Sequence, residues 1–248
     1  MNVYLYQNWT EKELKNAYIG NNKRWPDADT LAYRPFAEDI NDYSWNNNNL
    51  TANGNDYSFT TNSQWLKCCA LNPSDSNWTY FTTSLYSSIN FANNNYSFAC
   101  DICDFSPTLI WSYTLAAGFG LWPHIKFPMI NTYQSGNLWK YGWVEFAASS
   151  MTWVDWWLQT VDFTISTFTN VIYTWNYSTW VLRIYINWEY KWKFNCSWTF
   201  TAPSAWWICS DPYSYATARC IHWKIKDFVI EHKTWTDDEA LDYYNSTR

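Results

Sequence analysis

From Asp29 onward the chain breaks into short stretches in which apolar and polar residues alternate, with clusters of Asn, Asp, Ser and Pro between them. TLAYRPF (30–36), NYSFACDIC (95–103), DFTISTFT (162–169), NVIYT (170–174), WVLRIYIN (180–187) and KIKDFVIE (224–231) carry this pattern. A period of two places successive side chains on opposite faces of a strand. Many short strands with turn signals between them predict an all-β fold, a sandwich of two antiparallel sheets. No repeat of about 20 to 50 residues recurs, which argues against a solenoid.

One helix is signed as clearly as any strand. In KTWTDDEALDYYN (233–245), Thr236 is placed to cap the first turn, and Glu239 to return a bond to the Thr236 amide. Trp235 and Ala240 hold the positions that staple a helix entry with an apolar contact. Asp237 and Asp238 put negative charge at the positive end of the helix dipole. Residues 1–28 read as a separate amino-terminal segment, with VYLYQ as a strand, Thr10 and Glu13 as a second capping box, and then a linker. The sandwich itself is expected over 29–248.

Apolar runs flank Asn187 and Trp188 in YINWEYKW (185–192), so this pair should form the tip of a β-hairpin. The favoured two-residue turn holds both residues at φ > 0 and prefers Asn-Gly. Tryptophan resists that conformation. Composition enlarges the oddity. The 248 residues include 6 glycines and 21 tryptophans, where ordinary usage of ~7% gives about 17 glycines.

Charge and cysteine narrow the classes. Only 15% of residues are charged and the net charge is −6, so no basic face is offered to nucleic acid. The 7 cysteines, with Cys68 and Cys69 adjacent, do not look like a disulfide framework. The amino terminus lacks the apolar core of a signal peptide. The most apolar stretch, LIWSYTLAAGFGLW (109–122), is shorter than the ~18 residues of a membrane span.

Three segments share a resemblance. DTLAYRPFAEDINDYSWNNNNLTANG (29–54) resembles the opening of laminin-G-like, concanavalin-A-like jelly-roll domains. LRIYINWEYKWK (182–193) resembles their Tyr-x-Asn-Gly hairpin, and HWKIKDFVIEHKTWTDDEALDYYN (222–245) their closing strand and short helix. The three occur in the family's order. Trp45, Trp188, Trp192 and Trp223 fall where the family pattern carries glycine, and Trp206 and Trp207 fall where a glycine-containing strand entry is common. The deficit and the excess then have one origin. Some bacterial lineages and their viruses read the codon UGA as glycine, others as tryptophan, and the wrong table converts a subset of Gly to Trp.

The resemblance implies non-catalytic binding of a glycan or a host-surface protein. It also implies calcium: Glu38, Asp39, Asp42, Ser44 and Asn46 supply hard oxygen donors. Asp42 and Asp227 match the family's acidic positions and would converge if the first and last strands are neighbours. An Asx-turn network is the competing reading of the same loop. The family's glucanase branch needs Glu-x-Asp-x-x-Glu, which is absent here. CDIC (100–103) lies on a strand pattern that points its two cysteines to opposite faces, unlike a zinc knuckle. Of His124, His222 and His232, the last reads as a solvated loop residue.

The expected protein is a carbohydrate- or surface-binding adhesion module of a virion or cell surface. Its amino-terminal segment resembles connecting modules of phage structural proteins. A decoration domain of a larger virion or fibre, with no ligand of its own, is the alternative. A glycoside hydrolase is the third reading.

Overall fold

The computed structural model describes residues 26, 28–71, 80–83, 85, 89–90, 93–104, 114–121, 125–132, 141–147, 159–164, 168–195, 207–208 and 224–247. The described elements are β1 (Thr30–Arg34), β2 (Thr51–Asn53), β3 (Tyr57–Thr61), β4 (Lys67–Leu71), β5 (Tyr80–Thr82), β6 (Tyr96–Cys103), β7 (Thr114–Leu121), β8 (Ile125–Thr132), β9 (Tyr141–Ala147), β10 (Gln159–Thr164), β11 (Phe168–Asn176), β12 (Val181–Ile186), β13 (Glu189–Asn195), β14 (Trp207–Ile208), β15 (Lys224–Glu231) and α1 (Asp237–Ser246). Among the described residues the fold is all-β apart from this carboxyl-terminal helix. The expected strand in VYLYQ and the capping box at Thr10 lie outside the described residues.

Eight strands form one antiparallel sheet, seven of them in the order β13-β12-β11-β6-β15-β4-β3, with β1 paired to β15 off this path. The start of β15 pairs with β4, and its later half pairs with β1 along the same edge. A four-stranded sheet runs β10-β9-β8-β7 and a three-stranded one β14-β5-β2. The stretch DFTISTFT, which alternates like one strand, is divided: β10 ends at Thr164 and pairs with β9, while β11 starts at Phe168 and pairs with β6 and β12. Asn170, which looks like a turn signal, is instead fully buried inside β11 and donates to Asp101 Oδ1 at 2.5 Å.

Alternation sorts the large sheet into two faces. Phe98, Cys100, Val171, Trp175, Ile184 and Ile230 point inward and pack with Leu50, Phe81 and Leu85 from outside that sheet. Burying large apolar side chains of this kind contributes roughly 1.5–3 kcal/mol each. On the outer face, Ala99, Ile172, Tyr185 and Val229 receive Trp235, Ala240 and Tyr243 from the helix segment.

A bulge in the closing strand decides which of its residues meet the helix. The β15–β6 register shifts between Lys226 and Val229, and Asp227 sits at φ 48°. An extra residue in one strand reverses the facing of everything beyond it. Ile225 and Phe228, three apart, therefore both face the core. Without the bulge Phe228 would point outward and Val229 would lose its place under α1.

Candidate functional site

An open groove of about 760 Å³ lies on the outer face of the large sheet, between the β11–β13 ribbon and the start of α1. Thr174 and Asn176 come from β11, Thr179 and Val181 from the turn into β12, Arg183 from β12 and Lys193 from β13. Thr174 is on the outer face because Val171, Tyr173 and Trp175 alternate inward. Arg183 faces Thr174 across the β11–β12 ladder, and Lys193 faces Arg183 across β12–β13. The opposite wall is residues 234–238.

That wall is rigidly fixed. Thr236 Oγ1 accepts the Glu239 amide at 3.2 Å, and Glu239 Oε2 accepts the Thr236 amide at 2.9 Å, completing the expected capping box. Burial raises the Glu239 carboxyl, but Lys233 at 2.7 Å and the capping bond outweigh it and hold the group below its usual range. Ser97 Oγ accepts the Trp235 amide and donates to Lys233 O, both at 2.8 Å, stitching the segment to β6. Thr234 Oγ1 donates to Trp175 O at 2.7 Å.

Both signs of charge line the groove. Arg183 Nη1 lies 3.6 Å from Asp237 Oδ1, which also accepts the Tyr185 hydroxyl at 2.7 Å. Burial, and then the Asp237 bond, push the Tyr185 hydroxyl up to about 12, so it stays a donor. Thr174 Oγ1 is buried and has no hydrogen-bond partner among the described residues. A buried hydroxyl left unpaired is costly, and this one belongs to a residue that lines the groove.

No family model matches the chain, and no curated protein matches it in sequence. Solved structures do match in fold. Domain 4 of AbnA, a GH43 extracellular arabinanase from Geobacillus stearothermophilus solved with arabinotriose, is 16% identical with a TM-score of 0.57, over 88% of this chain and 98% of that one. The binding domain of botulinum neurotoxin DC in complex with SialylT is 12% identical with a TM-score of 0.62, over 89% of this chain and 52% of that one. The same toxin domain with rat synaptotagmin II is 13% identical with a TM-score of 0.60 and equal coverage. The fold is a β-sandwich jelly roll. This chain spans about half the length of the toxin domains and nearly all of the arabinanase domain.

Against that fold, the expected metal residues do other work. Asp42 Oδ1 accepts the amides of Tyr33 and Ser44, both at 2.9 Å, and Oδ2 accepts Ser44 Oγ and the Asn48 amide, both at 2.7 Å. Asp227 Oδ1 accepts the Tyr33 hydroxyl at 3.0 Å, and Oδ2 is held by the Lys226 ammonium. The first and last strands are indeed neighbours, but the Tyr33 side chain reaches between the two carboxylates. Among the described residues no group of three His, Cys, Asp or Glu gathers to hold a metal. Asp42 organises the loop and Asp227 the bulge. Asp39 likewise binds the Asn41 amide and the Tyr43 hydroxyl.

The cysteines are equally occupied by structure. Cys100 is in the inner core and Cys103 is not, so the strand separates them as its alternation implies. Cys68, Cys69, Cys100 and Cys103 are free thiols. Burial pushes Cys69 and Cys103 up to about 12, away from thiolate chemistry. His232 is exposed, its ring stacked on Tyr96 at 5.2 Å. Cys196, Cys209, Cys220, His124, His222, Trp206 and Trp223 lie outside the described residues.

Sequence reasoning missed the groove. Its signal was present: Thr174, Asn176 and Arg183 are polar residues on the outward positions of otherwise apolar strands. What hid it was that Asp237 and Asp238 had a complete explanation as helix-capping charges, so they pointed to no partner across the sheet.

Proposed function

We propose that the chain is a non-catalytic carbohydrate-binding module, and that the β11–β13 groove is where it takes a glycan. The observation that carries this reading is an open groove on the outer face lined by the polar residues Asn176, Thr179, Arg183, Lys193 and Asp237. A polyol presents hydroxyls that both donate and accept, and this lining supplies both kinds of partner. Two of the fold relatives were solved with arabinotriose and with SialylT, which supports saccharide as the ligand class. The relative solved with synaptotagmin II supports a surface protein as the alternative. The acidic residues of the groove, Asp237 and Asp238, are adjacent in the chain, and Asp237 is engaged by Tyr185 and Arg183. They do not flank a cleft as a hydrolytic pair must. A virion or cell surface is the setting we propose for such a module.

The test is binding of the purified chain to arabino-oligosaccharides and to sialylated glycans, alongside a broad glycan array. Arg183→Ala and Lys193→Ala should each weaken binding about tenfold, equivalent to ~1.4 kcal/mol, with an unchanged circular dichroism spectrum. If no glycan is retained, or if binding ignores both substitutions, the reading fails. Retention of a protein receptor alone favours the alternative, and no binding of either kind favours a decoration domain.

A further inference from the structure

We infer that positions 65 and 188 are glycine in the protein as its own cell makes it. The backbone carries this inference, independently of the groove. Asn187 and Trp188 form the two-residue loop between β12 and β13, at φ 49° and 66°. Both central residues in the left-handed region is the turn that prefers Asn-Gly. Trp188 is 44% exposed there.

Trp65 repeats the pattern in the β3–β4 hairpin. Its amide donates to Asn62 O at 3.0 Å, closing a turn, and Asn62 Oδ1 accepts the amides of Gln64 at 3.0 Å and Leu66 at 2.8 Å. Trp65 itself is at φ 63° and 85% exposed. A turn followed by a left-handed residue is where hairpins place glycine. Trp180, at φ 55°, ends the turn that Asn176 Oδ1 organises through the amides of Ser178 and Thr179. Its ring meets Trp175 edge-on, with centroids 6.0 Å apart.

The other positive-φ residues set the scale. Asn47, Asp104, Asn187 and Asp227 are types that tolerate this region, and Gly54 needs no allowance. Phe36, at φ 53°, is fully buried against Phe81. Its packing offsets the strain, and Trp180, packed against the core and edge-on to Trp175, has the same compensation. Trp65, 85% exposed, and Trp188, 44% exposed at the hairpin tip, are the least compensated. Trp175 and Trp235, buried and at negative φ, are true tryptophans. Of the residues suspected from the family pattern, Trp45 and Trp192 are at negative φ, so their backbones make no demand for glycine. One consequence bears on recognition. Exposed indoles at 65 and 188 are then no sugar-stacking platform, and Tyr190 is left as the exposed ring of the β12–β13 hairpin's tip.

Two measurements test this. The gene should carry UGA at 65 and 188 but UGG at 175 and 235, and peptides of the protein purified from its source should be lighter by the Trp-to-Gly difference at the first two. UGG at either of those two positions, or full-mass peptides there, overturns the inference. In recombinant protein, Trp65→Gly and Trp188→Gly should each raise the unfolding midpoint by about 2–4 °C. An unchanged or lower midpoint also overturns it.

Discussion

The closing segment, residues 224–247, and the β12–β13 hairpin, residues 181–195, contribute strands to the same sheet and use tryptophan in opposite ways. Trp235 is 1% exposed, packs against Tyr243 with ring centroids 5.2 Å apart and donates its Nε1 proton to Glu231. Its position, its burial and its polar handle all agree. Trp188 sits on a backbone built for a residue without a side chain, and 44% of its surface is in solvent. Residue type alone does not mark a functional aromatic; agreement between backbone, packing and polar partner does.

The sharpest way to break the comparison is to remove the buried ring. Trp235→Ala should cost about 4 kcal/mol in chemical denaturation, because it opens a cavity beside Tyr243 and strips Glu231 of a donor. Trp188→Ala should leave stability within about 0.5 kcal/mol of the parent or raise it. Equal losses at the two sites would mean that the hairpin tryptophan also has a packing role.

Next in size is the buried charge that ties the closing segment together. Lys226 Nζ bonds Asp227, lies 3.7 Å from Asp101 and donates to Thr247 O at 2.6 Å, at the carboxyl end of α1. Burial pulls its ammonium down and Asp101 pulls it back up. Lys226→Ala should cost about 3 kcal/mol, since it strands two buried carboxylates. A loss under about 1 kcal/mol would show that the helix docks through its apolar contacts alone.

How much of this was legible depended on the period of the signal. The strands around Phe98, Ile184 and Ile230 announced themselves by alternation, and α1 by Thr236 and Glu239. The bulge at Asp227 was not legible, because KIKDFVIE reads as a plain run and only the register with Asp101 and Ala99 reveals the extra residue. Asn170 misled for a related reason: a turn former in isolation, it is buried by its bond to Asp101. The acidic loop was legible as a dense oxygen cluster, and its Asx-turn reading is the one the bonds of Asp42 support. The groove was the least legible, since it joins strands to residues 40 or more positions further along the chain.

A smaller effect tests the cap that fixes the groove wall. Thr236→Ala should cost about 1 kcal/mol and should also weaken glycan binding, because it loosens the wall carrying Asp237. A stability loss without any change in binding would detach the helix start from the site.

The smallest effect is the most discriminating. Trp192 is 55% exposed and sits opposite Ile184 on edge strand β13, at negative φ. Replacing a strand residue with glycine there removes an indole already more than half in solvent and relieves no left-handed backbone. Trp192→Gly should therefore change stability by less than about 0.5 kcal/mol, or lower it slightly through chain entropy. Trp188→Gly, four residues away, removes a similar exposed indole but also relieves φ 66°. If both substitutions stabilise equally, the gain comes from losing an exposed ring. If only Trp188→Gly does, the backbone is the cause, and the turn itself identifies the residue that belongs there.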